Sequence, residues 1–157
     1  MKSIFISTSS FAKFSHEPIN LLLSNNINYT INDLGRKLSD KEILSALNEC
    51  DGVIAGTENY SFNILKKLPN LKVISRVGIG LDNIDLQFAK KRKIKIYKTK
   101  TSPALAVAEL TLALILDLKR KISAHNQMIN QGIWEKQMGT LFSGKTLGVI
   151  GLGTIGK

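Results

Sequence analysis

The chain has 157 residues, 43% of them hydrophobic, and a formal charge of +10, enough for one globular domain or for one domain and part of another. Its one cysteine, Cys50, excludes an intrachain disulfide framework and fits a reducing, cytoplasmic compartment, where it reads as a small buried hydrophobe. Ile4-Phe5-Ile6 is too short for a secretory signal core, and the longest apolar run, Ala104 to Leu116, carries Glu109 and falls short of the ~20 residues that cross a bilayer.

Strand and helix patterns then alternate. Ser3 to Ser7 reads as a strand, Pro18 to Leu23 as a short helix, and Asn28 to Asp33 as a strand in which Tyr29 and Ile31 alternate with polar residues. Ser39 to Asn48 predicts a helix opened by a capping box, Ser39 with Glu42, and carrying Ile43, Leu44 and Leu47 on one face. Gly52 to Ala55 is a short buried strand that ends at Gly56. Ser61 to Lys67 is a brief helix stopped by Pro69, and Leu71 to Ser75 is a further strand. Asn83 to Arg92 predicts a helix with Ile84, Phe88 and Ala89 inward, and Ile94 and Ile96 mark a last strand. This alternation predicts an α/β fold with a doubly wound parallel sheet, whose ligands bind beyond the carboxyl ends of the strands.

The pattern changes near residue 100. Ser102 and Pro103 can open a helix, and Ala104 to Leu118 is apolar nearly all round. Such a helix must be covered on all faces, by a second domain or a second subunit. Ile122 to Asn130 is a second helix, ended by Gly132. Thr146 to Ile150 then predicts a strand that enters Gly151-Leu152-Gly153-Thr154-Ile155-Gly156, the G-x-G-x-x-G of a dinucleotide-binding turn. There Gly151 permits the turn, Gly153 lets the backbone approach a pyrophosphate, and Gly156 lets helix and strand pack closely. The acidic ribose ligand expected about 20 residues further on has no position before Lys157. On this reading the chain is the front part of a longer protein and stops inside its own fingerprint.

A second glycine pair, Gly78-Ile79-Gly80, follows a strand. Its amides can converge on an anion, and Arg76 just before it can add a bidentate contact to a carboxylate or phosphate; a strand-to-helix turn with a surface arginine is the equal alternative. The block Lys90, Lys91, Arg92, Lys93, Lys95, Lys98 and Lys100 carries much of the charge. Without interleaved aromatics it reads as solvated surface rather than a nucleic-acid site.

Together, Leu71 to Asp85, Ala106 to Leu114, Gly132-Ile133-Trp134 and Gly144 to Gly156 resemble the D-isomer-specific 2-hydroxyacid dehydrogenase family, and within it the phosphoglycerate-dehydrogenase-like branch. Order and spacing agree along essentially the whole chain. The resemblance implies a flavodoxin-like substrate-binding domain over residues 1–100 and the start of a Rossmann NAD-binding domain over 101–157. It also implies a homodimer built around the long helix. Arg76, Gly78, Ile79 and Gly80 would line the substrate carboxylate site. Ile79 would also approach nicotinamide, and Gly151, Gly153, Thr154, Ile155 and Gly156 would hold NAD, with NADP left open.

Three departures accompany the resemblance. Lys98-Thr99-Lys100 replaces the family's Asn-Thr-Pro. Gly56-Thr57-Glu58 stands where phosphoglycerate-specific members often carry an arginine, which weakens phosphoglycerate as substrate. The family's catalytic arginine, glutamate and histidine lie downstream of the fingerprint, and neither His16 nor His125 matches that histidine. The implied function is therefore part of an NAD-dependent oxidoreductase acting on a D-2-hydroxyacid, inactive as this chain alone, with no metal, membrane or nucleic-acid partner. A non-catalytic dimerising or dinucleotide-sensing module of the same fold is the alternative.

Overall fold

The computed structural model describes residues 2–157. They form two compact units, one reaching to Thr101 and the other running from Ser102 to Lys157.

The first unit runs β1 (Lys2–Ile6), α1 (Glu17–Ser24), β2 (Ile27–Ile31), α2 (Asp40–Leu47), β3 (Gly52–Ala55), α3 (Phe62–Leu65), β4 (Val73–Arg76), α4 (Leu86–Lys91) and β5 (Lys95–Lys98). All five strands are parallel, in the order β2-β1-β3-β4-β5. This is the flavodoxin-like order, and its direction of winding reverses between β1 and β3.

Register explains the core. Phe5 faces Val53, Val53 faces Ile74, and Ile74 faces Ile96, so these side chains share one face of the sheet. Ile43 and Leu47 of α2, Ile64 and Leu65 of α3, and Ala89 of α4 close over that face. Each fully buried Leu or Ile contributes about 1.5–3 kcal/mol from water exclusion.

The helices are stopped and started by identifiable groups. Ser39 Oγ accepts from Glu42 N and Glu42 Oε2 accepts from Ser39 N at 2.7 Å, completing the expected capping box. The α4 helix begins later than Asn83. Its cap is Asp85, whose Oδ1 accepts from Phe88 N at 2.9 Å. Asn83 lies in a turn and Ile84 bridges Tyr60 instead: Tyr60 N donates to Asn83 O at 2.7 Å and Asp85 N to Tyr60 O at 3.0 Å.

Part of the basic block is structural. The Arg92 guanidinium donates to the carbonyls of Leu65, Leu68 and Pro69 at 2.8–3.1 Å and so closes the end of α3. Lys95 and Lys98 stand exposed on β5, an edge strand, where charge discourages pairing with another chain.

In the second unit, α5 (Ala104–Arg120) meets α6 (Ile122–Asn130) at Lys121, which takes a left-handed conformation with φ 56°. Asp117 fixes the joint by accepting from both Ser123 N and Ser123 Oγ at 2.6 Å. Pro103, expected as the first helical residue, is instead the N-cap of α5 and has no side chain that can cap it; Ser102, one residue earlier, accepts from Ala104 N at 3.2 Å. Leu105, Leu110 and Leu118 of α5 are exposed.

The strand expected at Thr146 to Ile150 does not form; the segment has no ladder partner. A strand draws its backbone bonds from a neighbour, and apolar patterning alone cannot supply one.

Candidate functional site

The sheet delivers Arg76 at the last position of β4, and the chain turns immediately after it. Gly78 has φ +139°, a region closed to most side chains, and a Cβ there would fall on the Arg76 guanidinium. That guanidinium folds back over Gly78. Its Nη1 donates to Val77 O at 2.6 Å, and its Nε is buried with no hydrogen-bond partner. Arg76 makes no ion pair; among the described residues these are Arg36–Glu42 and Lys72–Asp51.

Thr99 pins the turn from the next strand end. Gly78 N donates to Thr99 Oγ1 at 2.9 Å, and Thr99 N donates to Gly78 O at 3.1 Å. Gly78 therefore sets the shape of the turn, and its own N–H is already occupied. Among the described residues nothing accepts a hydrogen bond from the Ile79 and Gly80 amides, and both residues are exposed. An unpaired guanidinium beside two free amides is a chemical match for a carboxylate.

One strand over, the carboxyl ends of β1 and β3 enclose a pocket of about 260 Å³ lined by Thr8, Ser9, Ser10, Gly56, Thr57 and Glu58, with Val77 as the wall shared with the turn and Arg36 and Lys37 at its rim. Beneath it lies a buried polar cluster. Glu58 Oε2 accepts from Ser7 Oγ at 2.7 Å and from Gly56 N at 2.9 Å, and Ser7 Oγ lies 3.2 Å from the Tyr60 hydroxyl. Burial pushes the Tyr60 phenol well above its ordinary value, so it stays a neutral donor. Sequence reading passed over Ser7 and Tyr60, because their meeting joins positions about fifty residues apart.

The second unit holds the glycine fingerprint. Gly151 has φ +93°, and a Cβ on Gly156 would strike the Gly151 carbonyl, so both positions demand glycine. Gly153 faces open space. Thr154 to Gly156 make one turn, closed by Lys157 N donating to Gly153 O at 3.2 Å. Thr111 and Leu112 of α5, with Gly151, Gly153, Thr154 and Ile155, line a concavity of about 720 Å³. A cradle that a Cβ would fill and an open glycine face both fit a pyrophosphate.

Neither histidine is set up for proton transfer. His16 precedes α1 on the surface, and His125 Nε2 accepts from Gln137 N at 3.1 Å, with no carboxylate partner. Among the described residues no group of His, Cys, Asp and Glu could hold a metal, and no helix is long and apolar enough to cross a membrane.

Residues 6–152 match the family described as D-isomer specific 2-hydroxyacid dehydrogenase, catalytic domain. Human D-3-phosphoglycerate dehydrogenase is 35% identical over 125 residues, which cover 78% of this chain and 24% of that protein. Hydroxypyruvate reductase of Thermotoga maritima is 40% identical over 123 residues, covering 76% of this chain and 40% of the relative. The crystal structure of NAD⁺-bound 3-phosphoglycerate dehydrogenase of Entamoeba histolytica superposes with a TM-score of 0.72 at 25% identity, over 99% of this chain and 48% of that one. The chain thus spans from less than a quarter to about half of the proteins it matches.

Proposed function

Since the chain belongs to the D-isomer specific 2-hydroxyacid dehydrogenases, we propose that it supplies two parts of an NAD-dependent oxidoreductase of D-2-hydroxyacids. One is the seat of the substrate carboxylate; the other is the first turn of the dinucleotide site. The observation that carries this reading is the unpaired Arg76 guanidinium beside the free amides of Ile79 and Gly80.

In this reading the Ile79 and Gly80 amides and Arg76 hold the carboxylate, and the conformation of Gly78 aims them. Gly151, Gly153, Thr154 and Ile155 meet the pyrophosphate, with Gly156 holding the turn closed, and Ile79 packs toward the nicotinamide. When bound, the dinucleotide supplies the hydride acceptor or donor. NAD is favoured by the NAD⁺-bound relative.

Among the described residues no histidine is paired with a carboxylate to move the hydroxyl proton, so this chain alone carries no hydride-transfer activity. The protein works in the cytoplasm as a homodimer, its partner covering the exposed apolar residues of α5, such as Leu105 and Leu110.

The test is calorimetric titration of the chain with oxalate, alongside an NADH-linked assay with several 2-oxoacids. Oxalate binds the wild type and neither Gly78→Val nor Gly80→Val, and no turnover is seen. Undiminished binding in both variants, or measurable turnover, refutes the proposal.

A further inference from the structure

Glu58 is the one charged side chain among the described residues that is almost wholly buried, at 2% exposure. No cation offsets it. Its Oε2 is committed to Ser7 Oγ and Gly56 N. Its Oε1 takes no hydrogen bond from the protein, and the residue lines the pocket at the ends of β1 and β3. A carboxylate oxygen without a protein partner at a pocket wall can accept a hydrogen bond from a ligand there.

The pocket lies where the sheet reverses its direction of winding, the place at which open α/β sheets receive ligands. Val77 N donates to Ala55 O at 2.8 Å, so the carboxylate turn and the pocket are direct neighbours. A substrate held by its carboxylate at Ile79 and Gly80 has that pocket as its neighbour across Val77, and Glu58 lines it.

Gly56 keeps the arrangement open. A Cβ there would sit 3.1 Å from Glu58 Oε2, 3.3 Å from Oε1 and 3.2 Å from Thr8 Cβ, so the folded-back carboxylate takes the space a side chain would need. Arg36 and Lys37 also line the pocket. Arg36 is bound at 2.7 Å by Glu42, and Lys37 is exposed to solvent.

Resting on the carboxylate-seat reading above, we propose that Glu58 determines specificity at the far end of the substrate. It accepts a hydrogen bond from a terminal hydroxyl and repels a terminal phosphate or second carboxylate. The preferred class is an unphosphorylated, hydroxyl-bearing 2-hydroxyacid or its 2-oxoacid.

A matched series tests this on the chain itself: D-glycerate, 3-phospho-D-glycerate and D-lactate, each followed by ¹⁵N–¹H NMR. D-glycerate shifts the Ile79, Gly80 and Gly56 amides and binds about tenfold or more tightly than its 3-phosphate, since like charges in contact are strongly disfavoured. D-lactate shifts Ile79 and Gly80 and leaves Gly56 unmoved. Glu58→Gln, which keeps an acceptor for Gly56 N, reduces the preference to about threefold or less. Equal or tighter binding of the 3-phosphate by the wild type overturns the inference, and that comparison decides even if the variant fails to fold. An unchanged preference in a folded variant overturns it too. If none of the three acids moves Ile79 or Gly80, the carboxylate seat itself is wrong, and the inference falls with it.

Discussion

Gly78 and Gly80 look equivalent in the sequence and are unequal in the structure. Replacing Gly78 by alanine puts a side chain at φ +139° and onto the Arg76 guanidinium. The backbone conformation costs about 1–3 kcal/mol for an L-residue. Displacing the guanidinium also loses its bond to Val77 O, a charge-assisted contact worth about 1.5–3 kcal/mol when buried and less here, at the exposed end of a flexible side chain. Gly78→Ala should therefore destabilise the first unit by about 2–4 kcal/mol. At Gly80 the backbone is not left-handed, and a Cβ would meet only Asp82 Oδ2, at 3.2 Å. That carboxylate can swing away, so Gly80→Ala should cost about 0.5 kcal/mol or less. The assay is urea unfolding read through tyrosine near-ultraviolet dichroism. Tyr29, Tyr60 and Tyr97 all lie in the first unit, whereas the single tryptophan, Trp134, lies in the second. Equal losses in the two variants would refute the assignment of Gly78 as the conformational pivot.

Arg92→Lys loses the fork that closes the end of α3 and should cost about 1–3 kcal/mol in the same unfolding experiment, although the net charge is unchanged. Ser39→Ala should cost about 1 kcal/mol through the loss of the cap at α2. The Arg36 hydrogen bonds, followed by those from Ser39, hold the Glu42 carboxyl down at about 2. Because its folded value is depressed, the stability it lends is present above the ordinary glutamate range near ~4.3 and is lost as pH falls toward 2. A carboxyl-detected NMR titration checks this, and a Glu42 midpoint near ~4.3 would contradict the pairing.

What was legible in the sequence was local. Gly52 to Ala55 reads as a strand because a short apolar run is bounded by turn residues, and Ser39 with Glu42 announces α2 because a capping box is complete within four residues. The turn after β4 was legible as Arg76 and two glycines. Non-local groups decided the rest. Asn83 and Asp85 are both competent caps, and contact with Tyr60, more than twenty residues away, selects Asp85. The Thr99 hydroxyl that occupies the Gly78 amide comes from the end of a neighbouring strand. Glu58 gives no local signal, because Ser7 and the sheet order make it a buried group at a pocket wall. Thr146 to Ile150 has the apolar pattern of a strand, but a strand exists only where another pairs with it. Arg92 sits in a run of lysines that reads as solvated charge, and only the fold brings α3's carbonyls within its reach.

Whether the turn after β4 seats a carboxylate is decided by a crystal structure of the chain with oxalate. One oxalate carboxylate should lie on the Ile79 and Gly80 amides with the Arg76 guanidinium turned onto it, and Gly78 N should still be bonded to Thr99 Oγ1. Oxalate bound elsewhere, with Arg76 still folded on Val77 O and the two amides facing only water, would contradict it.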